Sequence, residues 1–211
     1  MHLSMRLPLL VFAFTFITSV ASAGEITISR EEFVAVTELK ALKENPKNAK
    51  VPEAKLKQQA SKTAGLKPQD FDAAQKKMDA FGGELGKKAE AVLKQKLEAS
   101  ILGKRTGTVV VDVSQAHVVV GVSWKQGNVL DLEDEAATVA GIVKEEVPFV
   151  ATLAVWATDA GEKKVFSAKI GHAPMQNINL AKIKDYAKTR YIKFFEEVKR
   201  GAEAQAADDK K

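Results

Sequence analysis

The sequence predicts an α+β protein: a helical module over residues 24–103, then a ββαββα segment over 104–200, folded as an antiparallel sheet backed by two amphipathic helices. Three observations carry this expectation. Apolar residues recur at helical spacing from Phe33 to Leu97. The period drops to two after Gly103-Lys104-Arg105. Helical stripes then return twice, first around Ala136 and again around Tyr191.

The first helix opens on Ser29-Arg30-Glu31-Glu32. This is a capping box, in which the Ser29 hydroxyl and the Glu32 carboxylate serve amides that lack partners at a helix start. Phe33, Val36, Leu39 and Leu42 continue it, and Asn45-Pro46 ends it. A second helix runs from near Pro52 to Gly65, a C-terminal glycine stop. Pro68 and Asp70 start a third, with Leu66 stapled onto Phe71, and Phe71, Ala74, Met78 and Phe81 share one face. Gly82-Gly83 breaks it, and a fourth helix carries Leu85, Ala89, Val92, Leu93 and Leu97.

Val109, Val111 and Val113 then alternate with Val110, Asp112 and Ser114, and Val118, Val120, Val122 and Trp124 share a face of the next strand. Asp131, Glu133, Asp134 and Glu135 form the acidic first turn of a helix striped by Leu132, Ala136, Val139, Ala140 and Val143, which Pro148 closes. Phe149–Thr158 reads as a central strand, apolar on both faces. Asp159-Ala160-Gly161-Glu162 turns into a strand over Val165–Ile170. A last helix collects Ile183, Tyr186, Ala187, Tyr191, Phe194, Phe195 and Val198, and residues 201–211 are expected to fray. With the helix at 84–99 placed before it, the β-rich half has the order α-β-β-α-β-β-α. That order resembles a profilin or roadblock type of sandwich, and the resemblance implies an architecture and no activity.

Residues 1–23 read as a secretory signal peptide: a weakly basic start, an apolar run over Leu7–Val20, and the small residues Ala21-Ser22-Ala23 before Gly24-Glu25. The run is short of the ~20 residues a spanning helix needs. The expectation is an exported, soluble chain, in a bacterial periplasm first and outside the cell second. The chain has no cysteine, which excludes disulfides, thiolate metal sites and cysteine nucleophiles. Residues 24–105 carry 17 Lys and Arg against 12 Asp and Glu, and residues 106–211 carry 14 against 15. The first half is therefore mildly basic. A solvated helical surface explains this more simply than attraction to an anionic polymer or a membrane surface. The lysines are scattered and lack interleaved aromatic rings, which argues against nucleic acid.

The helical half is similar to a small all-helical module of uncharacterised exported bacterial proteins. Ser29-Arg30-Glu31-Glu32-Phe33 stands for its acidic helix opening, a Pro-led Lys/Gln-rich helix follows, and Gly65-Leu66-Lys67-Pro68-Gln69-Asp70-Phe71 stands for its Gly-Leu-x-x-x-Asp-Phe step. The resemblance spans about residues 26–100 and brings no catalytic motif.

Chemistry is sparse. His117 shares a strand face with Gly121 and Ser123, and Asp112 and Ser114 face it, so a Ser–His–Asp arrangement or a metal site is one reading. A solvent-facing strip of a half-buried hairpin is the plainer one. No Gly-x-Ser-x-Gly elbow, HExxH pair or EF-hand spacing is present. His172 lies in Gly171-His172-Ala173-Pro174-Met175-Gln176-Asn177, a loop ahead of the last helix. His172 and Asn177 are the candidate ligand-binding residues, against a reading in which Asn177 or Asn179 merely caps a helix. No catalytic residue, metal or cofactor is expected. The sequence thus predicts an exported, non-catalytic binding protein, monomeric or weakly dimeric. Its partner is an envelope protein, an envelope polymer or a small apolar molecule. The alternatives are a hydrolase or transferase using His172 or His117, and a self-associating structural or adhesion protein.

Overall fold

The computed structural model describes residues 26–114, 117–127, 131–183 and 191–202. The expected leader and most of the expected tail lie outside the described residues, as does 184–190 of the expected last helix. The α+β class holds: helices accompany one five-stranded sheet. No helix of the described residues is long and apolar enough to cross a membrane.

The helical elements follow their sequence signals. Helix α1 (Arg30–Glu44) has the complete capping box, with the Ser29 amide donating to Glu32 Oε2 at 2.8 Å and the Glu32 amide to Ser29 Oγ at 3.2 Å. Helix α2 (Glu53–Ala64) and helix α3 (Phe71–Asp79) fold back on α1. Ala35, Val36, Leu39, Leu56, Ala60, Phe71 and Ala74 form a small core among the three, with Leu66 and Met78 packed against it. Gly82 and Gly83 take positive φ values of 55° and 83° between α3 and helix α4 (Leu85–Glu98), a conformation that costs glycine little.

Helix α4 turns away from α1–α3. Leu85, Ala89, Val92, Leu93 and Leu97 are buried in the larger core, where α4 packs on strand β1 (Thr106–Asp112) and helix α5 (Leu132–Glu146). Phe33 of α1 joins that core too, stacked on Phe149 with ring centroids 4.9 Å apart. The larger core therefore crosses the seam near Gly103.

Strand β2 (Val119–Lys125) pairs antiparallel with β1, as expected. It pairs parallel with β3 (Thr152–Thr158), so the sheet is mixed and the expected all-antiparallel arrangement is corrected. The reason lies in the connection. A parallel pair needs a long crossover, and α5 supplies it. Strand β4 (Lys164–Gly171) returns antiparallel beside β3. The second correction concerns the expected last helix. Residues Tyr191–Phe194 form a 3-10 turn, and Glu196–Arg200 is strand β5, antiparallel on β4. The apolar residues still reach the core, since Tyr191 and Phe195 are buried and Val198 packs against it. Pairing to the open edge of β4 overrides the local helical period. The α-β-β-α-β-β order is present, but a strand stands where that sandwich closes on a helix.

The sheet order is β1-β2-β3-β4-β5. Its inner face buries Val120, Val122, Trp124, Leu153, Val155, Phe166 and Ile170 under α4 and α5. Strand β3 is central but not apolar on both faces in effect. Thr152, Ala154, Trp156 and Thr158 alternate with the buried positions and are half-exposed.

Candidate functional site

A half-open groove of about 800 Å³ lies where the two cores meet, between α1, α3, the start of α4 and the end of β1. Apolar side chains make most of its wall: Phe33, Val36, Leu39, Met78, Phe81, Leu85 and Val113 all line it. Its formation follows from the elements. Helix α1 carries an apolar band wide enough to serve both cores, Phe33 entering the sheet core and Val36 and Leu39 the helical one. Gly82-Gly83 then sends α4 off toward the sheet, so α3 and α4 diverge and the wedge between them stays unfilled. Met78 and Phe81, the last apolar residues of the α3 face, are left half-buried there, and Met78 borders both cores.

The rim is polar. Thr37, Lys40, Lys43, Glu44 and Gln75 line the groove alongside the apolar wall. Lys40 and Lys43 stand one helical step apart on α1 and are exposed. Lys43 pairs with Glu53 at 3.1 Å, whereas Lys40 has no ion pair among the described residues. Lys88 lies 5.0 Å from the centroid of the Phe81 ring, a cation–π contact. The groove has the size and make-up of small-molecule sites, which run about 300–1,000 Å³ with apolar walls and a few placed polar groups.

The sequence-predicted site residues lie elsewhere. His172 begins the four-residue helix α6 (His172–Met175). Its Nδ1 is 3.0 Å from the Val150 carbonyl, to which Arg30 Nη1 also donates at 3.0 Å. Gln176 Nε2 lies 3.4 Å from His172 Nε2. An amide nitrogen only donates, so this contact assigns the ring proton to Nδ1. Burial, then the nearby Arg30 guanidinium, lowers the His172 pKa and keeps the ring neutral at pH 7. The ring thus clasps the 147–151 segment. Asn177 Nδ2 donates to the Pro174 carbonyl at 3.3 Å, and Asn179 Oδ1 caps the Leu180–Lys182 turn through the Ala181 amide. Neither His172 nor Asn177 lines the groove.

Of the Asp112, Ser114, His117 and Ser123 set, hydrogen bonds join only Asp112 and Ser114. His117 Nε2 meets Thr152 Oγ1 at 3.0 Å, and Asp112 Oδ1 accepts from the Ser114 amide at 2.9 Å. Ser123 Oγ is buried at the β1 bulge, where it accepts from the Thr108 amide at 2.7 Å. Among the described residues no group of three His, Asp or Glu side chains is placed to hold a metal ion.

One buried charge was not anticipated in its role. Glu135, read as part of an acidic first turn, is fully buried. Its Oε2 accepts from Trp124 Nε1 at 2.5 Å, and its Oε1 lies 2.7 Å from Arg105 Nη2. The Arg105 hydrogen bonds go to the Ile101 and Lys125 carbonyls, so Oε1 has an ion pair without a hydrogen bond. This knot ties the α4–β1 connection to α5.

The groove residues escaped sequence reasoning because each belongs to a helical stripe that reads as core. The one available signal was Gly82-Gly83, which separates two apolar stripes that then face different cores. Comparison with known proteins finds no family model that matches the chain, no similar curated protein and no similar solved structure. The fold and the groove together define an α+β chain with a preformed apolar cleft between a helical hairpin layer and a mixed sheet.

Proposed function

We propose that this is an exported, non-catalytic binding protein that takes a small amphipathic molecule, with its apolar chain in the groove and an anionic head at Lys40 and Lys43. The observation that carries the reading is the groove itself: about 800 Å³, walled by Phe33, Val36, Leu39, Met78, Phe81, Leu85 and Val113, with two lysines on its rim. Filling such a groove removes apolar surface on both sides from water, at about 25 cal/mol per Å². An exposed Lys40, without an ion pair among the described residues, offers a carboxylate or phosphate a partner at little desolvation cost. The leader-like residues 1–23 support export.

Isothermal titration with sodium dodecanoate, below its micelle concentration, tests this. One saturable site is expected. Thr37→Trp puts a large ring into the groove without removing a core side chain, and weakens binding by about tenfold or more, a loss of ~1.4 kcal/mol. Lys40→Glu reverses the rim charge and weakens dodecanoate several-fold while leaving dodecanol unchanged. Absence of saturable binding, or binding indifferent to Thr37→Trp, overturns the reading.

A further inference from the structure

The helices α4 and α5 cover one face of the sheet, and the other face carries an aromatic platform. Trp156 sits in the central strand β3, opposite Ser123 of β2 and Ser167 of β4. Its indole lies over Gly121, where an added Cβ would stand 3.4 Å from Cζ3 and 3.5 Å from Cη2 of the ring. A Cβ at Gly121 would sit in ordinary contact with the ring, whereas the branched side chain of a valine would press into it. Thr152, Thr158 and Ser167 share this face by alternation, and all three are half-exposed. Val110 and Val119 extend it toward the β1 edge, 46% and 36% exposed.

The face carries four lysines and three acids, and the lysines lie nearer the Trp156 ring. Lys164 Nζ stands 5.9 Å from the Trp156 ring centroid. Lys125 lies opposite Thr158 on β2, and Lys199 lies opposite Ser167 on β5. Lys169, further along β4, is held by Glu197 at 2.9 Å. The acids lie on the edge strands: Asp112 on β1, which holds the Ser114 amide, and Glu196 and Glu197 on β5, where Glu197 is near both Lys169 and Lys199.

We infer that this face binds an anionic polysaccharide strand, the Trp156 ring stacking on the C–H face of one sugar and Lys125, Lys164 and Lys199 meeting its carboxylates. A flat half-exposed indole presents apolar area that suits a pyranose face. The surrounding hydroxyls match sugar hydroxyls, and the lysines complement a polyanion. A single ring among hydroxyls differs from the successive stacked rings of single-stranded nucleic-acid surfaces. The surface is separate from the groove, so it would hold the protein on a polymer while the groove takes its own ligand.

The test is isothermal titration calorimetry of the whole protein with galacturonate oligomers at low salt. Trp156 is the half-exposed indole and Trp124 is fully buried, so indole fluorescence, followed alongside in the chains that keep Trp156, reports on this face. Binding is expected to weaken as salt rises. Trp156→Ala should weaken it by about tenfold, and Lys164→Gln or Lys199→Gln by several-fold with a shallower salt dependence. Gly121→Val lifts the ring off the sheet without removing it, and weakens binding in the same direction if Trp156→Ala fails to fold. Dodecanoate binding is unchanged in all of them. The inference is overturned by any of three results: no binding at millimolar oligomer, equal binding by Trp156→Ala and Gly121→Val, or oligothymidylate binding more tightly than the galacturonate oligomer.

Discussion

Replacing Arg105 by methionine isolates the energetics of the buried Glu135 knot. Glu135 has no exposed surface, and Arg105 Nη2 stands 2.7 Å from its Oε1. Methionine keeps much of the aliphatic volume and removes the charge. A buried carboxylate then keeps its hydrogen bond from Trp124 and loses its counter-charge. Removing one partner of a buried pair costs ~3–5 kcal/mol. The Arg105 side chain is 24% exposed, so water reaches the vacated space and the low end applies, about 3 kcal/mol. That is roughly a hundredfold in the folding equilibrium. Glu135→Gln in the Arg105→Met background removes the charge and recovers about 1–2 kcal/mol, so the pair is strongly non-additive. Urea denaturation followed by circular dichroism at pH 7 measures all four corners of the cycle. A deficit below about 1 kcal/mol that is additive with Glu135→Gln contradicts this picture of the pair.

Other consequences are equally direct. Asp134 has its pKa raised to about 6, by burial first and then by Asp131 and Glu133. Its folded value exceeds its unfolded one, so its charged form destabilises above pH 6 and the penalty disappears as pH falls toward 4. Much of the group meets solvent and it lies on a helix N-terminus, so Asp134→Asn should stabilise by no more than about 1 kcal/mol at pH 7.5 and by nothing at pH 4.5, read by urea denaturation. His172 works in the opposite sense: its folded pKa is lowered, so its contribution is present above about pH 6.5 and lost as pH falls through the folded value. His172→Gln should flatten that acid limb in thermal melts, and an unchanged limb would remove the histidine from the account. Phe33→Ala takes away the ring stacked on Phe149 and opens a cavity at the junction of both cores, which should cost about 3–5 kcal/mol in urea.

Local grammar was legible in the sequence where one residue type does one job. Ser29 and Glu32 form the capping box they spell, Gly82-Gly83 separates α3 from α4, and Val118, Val120, Val122 and Trp124 face inward together. What the sequence conceals is choice of partner. Tyr191, Phe195 and Val198 are spaced for a helix, and the same spacing serves a 3-10 turn running into a strand once β4 offers an edge. The parallel pairing of β2 with β3 depends on where α5 delivers the chain, which no local pattern encodes. The site was hidden for a related reason. Val36, Leu39 and Met78 read as ordinary core stripe, and only the divergence of α3 from α4 leaves a groove beside them. His172 drew attention because histidine in a Gly/Pro loop is conspicuous, yet its nitrogens are occupied by the Val150 carbonyl and Gln176. Glu135 looked like one acid among four, and its burial follows from helical phase: one position on from Asp134, it turns under the sheet to meet Trp124.

Methyl-resolved NMR during a dodecanoate titration tests the groove most directly. The methyls of Val36, Leu39, Met78, Leu85 and Val113 are predicted to shift together and saturate at one equivalent. Perturbation centred on Val110 and Val119 of the open sheet face, or a weak non-saturating drift across all methyls, would contradict the assignment of the groove as the binding site.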